Sequence, residues 1–550
     1  MEIYMLRYKT ALAIFFFNCI VNTKPAVAAV AAVAALVARG DSLAEKQEVV
    51  RQINADPTSF DPIREIGLAE AHVIRDLFEG LTNQNEAGRP IPAVANSWTN
   101  AGNRIWFFYL RPDAKWSNGD PVTAKDFVYS WRRLVDPINH SPFAYFATLA
   151  GIKNAQKIIN NELPIEKLGV EALDNYTLKV TLEQPAPYFL NLTSHFSFFP
   201  VNQKIIARYG QNWLTPTNLV GNGAFRLSER IAGEKIVLQP NRYYWDHKNT
   251  ILTKVTFVPI KQSARAWQSY FAGDVVETEF LPEHLDSKLL QQIPDEFYLV
   301  GQLATYYYVF NTQKPPTDDR RVRRALTVSI DRDVITNKIL ADGEKVAYRF
   351  IPDVIADFTP ERGFYDGYGQ KELDEQARVL LHLAGFSSHN PLRLSLVYNN
   401  SENNKKVAIA IASMWKRKLG AQITLINQQW KTYTESRNSG HFNVLGAARV
   451  AEYNEPSSFL NVMTSSNRGN WAKFQNSDYD QIIASAMMEK SSKNRNRFYN
   501  RAEKMLLTHA PIAPIYYYSR GYLIKSWLKG YPVNNPENVS YSHTLYVIKH

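Results

Sequence analysis

The sequence predicts an α/β protein of two or three lobes, and three observations lead to this prediction. The chain has 550 residues, which is more than a single hydrophobic core usually serves. Residues 392–428 show a strand–helix–strand pattern, whereas residues 82–201 show strands and a helix in a different arrangement. Because no repeat or low-complexity linker separates these regions, the lobes are expected to be interwoven in sequence.

The strand–helix–strand pattern begins with a predicted strand at residues 392–398. A polar turn follows, then a helix that starts near Ser401 and ends at Gly420, and "AQITLI" forms the next strand. The apolar residues on one side of this helix are Val407, Ile411, Met414 and Trp415. A βαβ unit of this kind is typical of a lobe with a parallel sheet.

The segment at residues 82–201 is predicted to be an α+β insertion. In "IWFFYLRPDAKWSNGDPVTAKDFVYSWRRLVDP" a strand leads through a Gly/Asp turn into a helix that Thr123 opens. In "DNYTLKVTLEQPAPYF" apolar and polar residues alternate, which indicates a further half-buried strand.

Composition narrows the function classes. Lysine and arginine total 63 against 52 acidic residues, but these charges are scattered, so no nucleic-acid partner is expected. The one cysteine, Cys19, and 11 histidines without close spacing predict neither a disulfide nor a metal site. No catalytic, phosphate-binding or dinucleotide motif is present, so no cofactor is expected. Glycoside hydrolysis needs two carboxylates that are close in space, and a sequence does not show which carboxylates are. A murein hydrolase of the cell envelope is therefore the alternative from another class.

The first residues have the order of a secretory signal. Arg7 and Lys9 precede an apolar run at residues 11–21, and an Ala/Val tract follows. We predict a signal peptide within residues 1–38 that is cleaved between about Ala28 and Ala38. The residues "FFN" before Cys19 are not small, so soluble export is favoured over lipid attachment.

Glu452 stands out in "FNVLGAARVAEYNEPSSFLNVM" because it follows an apolar run that is typical of a buried strand. Removing the water around an ionised carboxylate costs several kcal/mol of free energy unless a positive group replaces it. One interpretation is therefore a carboxylate that holds a cationic group. The other is an acid at a strand end, where the polar turn "YNEPSS" meets solvent.

The block "NRIWFFYLRPDAKWSNGDPVTAKDFVYSWRRLVDP" strongly resembles the bacterial extracellular oligopeptide-binding proteins of ABC importers. The resemblance continues through "GNGAFRL", "TYYYVFNTQKPP" and "EYNEPSSFL", and it covers residues 43–550. Within the family the chain is most similar to the members that bind murein peptides, as "VIRDLFEGLTNQNE", "LAGIKNAQ" and "APIAPIYYY" indicate.

The resemblance implies an α/β fold of the periplasmic binding protein type II class, a clamshell with three lobes. Lobe I would comprise residues 39–78, 203–303 and 521–550; lobe II residues 79–202; and lobe III residues 304–520. It also implies a periplasmic monomer that captures a short peptide and delivers it to an ABC permease of the inner membrane, without catalysing a reaction. The murein tripeptide L-Ala-γ-D-Glu-meso-diaminopimelate is the implied ligand. General oligopeptides, haem or an antimicrobial peptide are the alternatives on the same fold.

The resemblance assigns the ends of the peptide to particular residues. Glu452, where aspartate is usual, would bind the ligand's ammonium group. Backbone groups would pair with the peptide as added strands. These groups belong to Ala448 and Val450 in "AARVA" and to Ile66, Gly67 and Leu68 in "IGL".

Arg437 would bind the additional carboxylates of a murein peptide, whereas its ordinary interpretation is an exposed turn residue paired with Glu435. Gly446 stands where oligopeptide binders have arginine, and Arg449 replaces a tryptophan, so a positive charge has moved along the strand. The remaining residues that the resemblance assigns to the site are Trp430, Phe143 in place of a tyrosine, and Asn404. Ala304 and Val450 replace a cysteine pair of the family.

Overall fold

The computed structural model describes residues 42–64, 67–279, 292–361, 363, 365 and 367–550. The predicted signal peptide and Ile66 therefore lie outside the described residues. The described chain is a mixed α/β protein with three main sheets. Two short ribbons accompany them, Thr82–Gln84 with Pro90–Pro92 and Leu528–Lys529 with Tyr546–Val547.

The first main sheet has four strands, and its one parallel pair joins residues that lie some two hundred positions apart in sequence. In sheet order the strands are Glu48–Ile53, Lys254–Pro259, Lys235–Pro240 and Phe225–Ile231. The helices of this part of the chain are Leu68–Leu77, Gln203–Tyr209 and Ser263–Ala272.

The second main sheet is antiparallel and lies within the segment predicted as an α+β insertion. Its strands are, in sheet order, Ala95–Ala101, Ile105–Leu110, Thr177–Thr181 and Val170–Ala172. The helices of this segment are Ala124–Val135, Ala144–Leu149, Ala155–Ile159 and Phe189–Leu192. The predicted strand, turn and helix are confirmed, and Thr123 precedes the helix with its N–H donating to the Asp126 carboxylate at 2.7 Å.

The third main sheet has six strands. They are, in sheet order, Lys345–Val346, Ile512–Leu523, Phe297–Phe310, Val444–Val450, Arg393–Asn399 and Gln422–Gln428. The helices around it are Arg320–Val328, Arg332–Val334, Gln370–Leu383, Glu402–Leu419, Trp430–Ser439, Ser457–Leu460, Ser477–Met488 and Ser492–His509, with a π-helix at Ile335–Leu340. The predicted βαβ unit is confirmed, since Arg393–Asn399 and Gln422–Gln428 pair in parallel on either side of the connecting helix. Gly420 ends that helix at a φ of +67°, a conformation that favours glycine.

Two long strands connect the first part of the molecule with the third sheet. We call Phe297–Phe310 and Ile512–Leu523 the crossing strands. They pair antiparallel, and the ladder is interrupted between Gly301 and Thr305. Before this irregularity Tyr522 packs in the core shared by the first two sheets, and after it Tyr306 packs in the core of the third. The crossing strands therefore contribute side chains to both cores and link them covalently and by hydrogen bonds.

Two negative observations apply to the described ranges. No helix there combines the length and the apolar character needed to cross a membrane. In the same ranges no three His, Cys, Asp or Glu side chains are grouped so that they could hold a metal ion.

Candidate functional site

The strand Val444–Val450 has one edge that is only partly paired. It pairs with a crossing strand along its full length, from Val444 opposite Phe310 to Val450 opposite Ala304. On its other side the strand Arg393–Asn399 pairs with Val444 and Leu445 alone. Among the residues that the structure describes, no strand pairs with the outer edge at residues 446–450.

The hydrogen-bond alternation of this strand shows which groups face the open edge. Ala451 donates its N–H to the carbonyl of Leu303 at 2.8 Å. In an antiparallel ladder every second residue bonds to the same neighbour, so Arg449 also faces the crossing strand. Ala448 and Val450 therefore point their N–H and C=O groups outward. Val450 is 64% exposed. The carbonyl of Gly446, which also points outward, accepts from the Tyr433 hydroxyl at 2.7 Å, so the open part of this edge is residues 448–450.

Glu452 lies just beyond this strand and is already engaged by a cation. Arg449 places both guanidinium Nη atoms on the two carboxylate oxygens, with Nη1 at 2.9 Å from Oε1. Arg449 Nε donates to the carbonyl of Ser458 at 2.9 Å, and the Ser458 hydroxyl donates to Glu452 Oε2 at 3.1 Å. The side chains are 18% and 29% exposed, respectively. Glu452 therefore combines features of both interpretations. It lies at a strand end, and its carboxylate holds a cationic group, the guanidinium of Arg449.

Gly446 has no room for the arginine that the family carries there. A Cβ atom at this position would lie 2.5 Å from the Tyr306 hydroxyl and 2.9 Å from a ring carbon of Tyr308. Both tyrosines are fully buried, and Tyr306 stacks on Tyr516 with ring centroids 4.9 Å apart. Their rings cannot give way without unpacking the core, so the cation of this strand is confined to Arg449.

Arg437 lies on the helix Trp430–Ser439 and is surrounded by rings. Its guanidinium carbon is 4.1 Å from the centroid of Trp471 and 5.7 Å from that of Tyr433. Its Nε is buried and has no hydrogen-bond partner among the described residues. The ordinary interpretation, an exposed turn arginine paired with Glu435, is wrong, because Arg437 is half-buried within a helix and stacks on these rings.

Tyr307 brings the two arginines into one neighbourhood. It lies on a crossing strand opposite Ala447. Burial raises the pKa of the Tyr307 phenol, whereas the charges of Arg449 and Arg437 act to lower it. Arg437 is also linked to this strand by contact, since it lies 5.7 Å from the ring of Tyr433, whose hydroxyl donates to the carbonyl of Gly446 at 2.7 Å. The site combines a carboxylate, two cations and an open strand edge.

Tyr145 is a candidate that the sequence interpretation missed. It is 52% exposed on the helix Ala144–Leu149. Partial burial and then the charge of Glu452 raise the pKa of its phenol, so this tyrosine from the segment of the second sheet is a candidate for the surroundings of Glu452. The family pattern drew attention to Phe143, whose ring instead packs edge-on against Phe196 at 5.2 Å. The signal that could have identified Tyr145 was a polar aromatic residue on a short helix.

The turn "YNEP" joins the two sides of the molecule near Glu452. Tyr453 stacks on Tyr188 with ring centroids 4.3 Å apart and planes 7° apart. Asn454 donates to the carbonyl of Ala87 at 2.9 Å, and Asn191 donates to the carbonyl of Asn454 at 3.1 Å. These contacts hold the end of the strand Val444–Val450 beside the second sheet.

The expected strand pairing at "IGL" is contradicted for Gly67, and for Leu68 it stays a prediction. Gly67 donates its N–H to Glu70 Oε2 at 2.8 Å and accepts from Ala71 N at 3.2 Å. Leu68 is the first residue of the helix Leu68–Leu77. Both backbone groups of Gly67 are bonded within the chain. A glutamate three residues after the N-cap accepts from the N-cap N–H, and the N-cap carbonyl accepts the first hydrogen bond of the helix. The third residue, Ile66, is outside the described residues.

The remaining predicted residues occupy different settings. Trp430 is 61% exposed at the start of its helix, where its ring stacks on Tyr433. Asn404 lies in the first turn of the helix Glu402–Leu419 and donates to the side chain of Asn399. Trp430 is thus within the surroundings of Arg437, whereas no contact places Asn404 or Phe143 beside Glu452.

Comparison with known proteins identifies relatives along nearly the whole chain. The family model of the bacterial extracellular solute-binding proteins, family 5, matches residues 89–471. The periplasmic murein peptide-binding protein of Escherichia coli (strain K12) is 54% identical over 517 residues, which are 94% of this chain and 96% of that protein. The periplasmic oligopeptide-binding protein of the same strain is 41% identical over 520 residues, 94% of this chain and 96% of its own length.

Solved structures of such proteins share the fold. A periplasmic murein tripeptide-binding protein in its unliganded open form has a TM-score of 0.90 at 54% identity, covering 93% of this chain and 99% of that one. The structure of the Escherichia coli murein tripeptide-binding protein has a TM-score of 0.70 at the same identity, covering 92% and 100%. The fold class predicted from the sequence, an α/β type II clamshell, is confirmed. Of these two structures, the one in the unliganded open form has the higher TM-score.

Proposed function

Because the chain belongs to family 5 of the bacterial extracellular solute-binding proteins, we propose that it captures a short peptide in the cleft beside Glu452. The observation that carries this proposal is the outer edge of residues 448–450, with which no strand pairs among the described residues and which ends at a carboxylate. Main-chain pairing with such an edge binds an extended peptide whatever its side chains. The carboxylate then selects the end that bears the ammonium group.

The preferred ligand is the murein tripeptide L-Ala-γ-D-Glu-meso-diaminopimelate. Its γ-linkage leaves the glutamate α-carboxylate free, and diaminopimelate brings a second acid, so it carries more carboxylates than an ordinary tripeptide. Each needs a cation or several donors once water is excluded. Arg437 and Arg449, which both influence Tyr307, supply two guanidinium groups. The relative at 54% identity is named for binding murein peptide, which supports this choice.

The binding cycle follows from the architecture. We propose that the three lobes divide at the boundaries predicted from the sequence and that the monomer closes about the crossing strands. Ligand contacts with both bodies then favour the closed form, because only contacts that differ between two states shift their equilibrium. Tyr145 would contribute its hydroxyl from lobe II, whereas Phe143 packs within its own ring cluster. The closed protein delivers its peptide to an ABC permease and catalyses no reaction.

Calorimetry with two peptides tests the function. Wild type should bind the murein tripeptide more tightly than tri-alanine by at least about 1.4 kcal/mol, a factor of ten. Arg437→Ala should abolish most of that preference and leave tri-alanine binding nearly unchanged. Arg321→Ala is the matched control, because this exposed arginine is engaged by Asp319. If tri-alanine binds as tightly as the murein peptide, a general oligopeptide carrier becomes the better function.

Cell fractionation tests the location. The relatives are named as periplasmic proteins, and we propose that the leader directs this chain to the same compartment. Osmotic shock should release a protein whose N-terminus begins between about residues 29 and 39. Recovery of intact Met1 or of a lipidated Cys19 in the envelope fraction would contradict soluble export.

A further inference from the structure

The ion pair between Arg449 and Glu452 uses the same carboxylate that the proposed function assigns to the ligand. We infer that Arg449 is an internal stand-in for the ligand's ammonium group, and that binding exchanges one cation for the other. The freed guanidinium then binds a carboxylate near the N-terminus of the peptide. This inference rests on the proposed function and adds the rule by which the site rejects ordinary peptides.

The pair leaves little of the carboxylate for another cation. Arg449 covers both oxygens of Glu452, and the Ser458 hydroxyl donates to one of them at 3.1 Å. The backbone N–H of Glu452 also donates to the Ser458 hydroxyl, at 3.0 Å. An ammonium group that approaches the open strand edge must therefore displace the guanidinium before it can bind Glu452.

The displaced guanidinium has a defined new role. Arginine stays charged in any environment, and its planar fork matches a carboxylate. When the lobes close, Arg449 will need a new anion, because an unpaired charge in a water-poor cleft is costly. Arg437 is a second guanidinium near the same strand, because it lies 5.7 Å from the ring of Tyr433, whose hydroxyl donates to the carbonyl of Gly446 at 2.7 Å. The two arginines would together supply the cations for the carboxylates of the ligand.

The exchange selects a particular ligand chemistry. A peptide that carries both an ammonium group and a nearby carboxylate satisfies Glu452 and Arg449 at once. The γ-linked glutamate of the murein tripeptide provides that carboxylate at its second residue. Tri-alanine has only its distant terminal carboxylate, so it displaces Arg449 and leaves it without an anion. Neutral peptides are thereby penalised even though the strand edge can pair with them.

A purely structural role for Arg449 gives different expectations. Its Nε and Nη2 donate to the Ser458 carbonyl at 2.9 and 2.6 Å, which braces the turn after the strand. If bracing were its whole role, removal of the guanidinium would distort the site for every peptide. The exchange instead predicts that removal of the guanidinium strengthens the binding of tri-alanine and weakens the binding of the murein tripeptide. A general distortion of the site would weaken both.

Calorimetry on wild type and Arg449→Gln separates the two roles. The variant should bind tri-alanine several-fold more tightly, because Glu452 has lost its internal competitor, and should bind the murein tripeptide at least about tenfold more weakly. Arg449→Lys keeps the charge without the fork, so its tri-alanine affinity should stay near that of wild type. Arg321→Gln, which removes a guanidinium that binds Asp319 elsewhere on the surface, should change neither affinity.

The outcomes distinguish the exchange from the function on which it rests. Opposite shifts for the two peptides in Arg449→Gln support the exchange. Equal weakening of both, or no change in either, overturns it while peptide binding by wild type keeps the proposed function intact. Failure of wild type to bind either peptide overturns the proposed function and the exchange together.

Discussion

Two arginine–glutamate pairs of this chain have the same chemistry and opposite settings. Arg51 bonds Glu277 at 2.6 Å with side chains 0% and 7% exposed, and it joins segments 226 residues apart. Arg449 and Glu452 are three residues apart and partly exposed, beside an open strand edge. The first pair is buried where no ligand can reach it, so it is structural. The second can exchange its partner, which makes it suitable for binding.

The largest effect is expected at the buried pair. Arg51→Met keeps much of the side-chain volume but leaves Glu277 buried without its cation, and it also removes the bonds to Ser540 and Ser542. We expect the free energy of unfolding to fall by about 3–5 kcal/mol, as measured by urea denaturation. The double variant Arg51→Met/Glu277→Met should recover part of this loss. A single variant as stable as wild type would remove the distinction between the two pairs.

The cleft pair should affect binding rather than stability. Glu452→Gln retains the size of the side chain and removes the charge that holds the ligand's ammonium group. We expect peptide affinity to weaken by about 2–5 kcal/mol in calorimetry, with unfolding changed by less than about 1 kcal/mol. N-acetylated peptide should show the same loss against wild type. Equal binding of acetylated and free peptides would make Glu452 only a strand-end acid.

The buried region should also respond to pH through Glu279. Burial raises the pKa of this carboxyl to about 7 from 4.5, so the folded protein favours its protonated form. Its contribution is fully present below the unfolded pKa and is lost as the pH rises through about 7. Glu279→Gln is neutral throughout. At pH 8 the variant should therefore be more stable than wild type, and near pH 5 this advantage should shrink by about 2 kcal/mol.

His72 in the same cluster requires this comparison to be made between variants. Burial lowers the pKa of His72, so its contribution to stability is lost as the pH falls. Because His72 Nε2 lies 3.9 Å from Glu279 Oε1, the two titrations are coupled, and the comparison of Glu279 with Glu279→Gln is therefore made in a His72→Gln background by urea denaturation at each pH. A difference that is constant from pH 5 to 8 would show that Glu279 titrates alike in the folded and unfolded chains.

The smallest effect is expected at Tyr145. Tyr145→Phe removes a hydroxyl whose pKa the charge of Glu452 helps to raise, and it leaves the half-exposed ring in place. We expect peptide affinity to fall by about 1 kcal/mol, the contribution of one hydrogen bond, with unfolding unchanged. Phe143→Leu is the matched control, because it alters the neighbouring ring cluster without removing a hydroxyl. A larger loss in the control would assign the lobe II contribution to packing.

Local patterns predicted the fold well where neighbours in sequence are neighbours in space. The βαβ unit with its Gly420 end and the helix opened by Thr123 were both evident from spacing and capping residues. The crossing strands were not, because their pairing joins residues some two hundred positions apart. Only the family resemblance placed Ala304 near Val450, which the strand register puts directly opposite each other.

The site was predicted in part for the same reason. Glu452, Arg437 and Arg449 were identified from the family pattern, but their mutual arrangement depends on how the strand, the turn and the helix pack. Gly67 was misassigned although Glu70 three residues later gave a helix-start signal. Tyr145 was missed because its relevance comes from the opposite lobe, where Glu452 acts on it.

The crowding at Gly446 also restricts how this receptor could change its ligand preference. Restoring an arginine there would require Tyr306 and Tyr308 to become smaller at the same time, since a Cβ atom already overlaps them. Either tyrosine change alone would open a cavity in a core where it is fully buried. The intermediate sequences would thus be poorly folded. Directed evolution toward a general peptide carrier should therefore alter positions 449 and 437 first and leave glycine at 446.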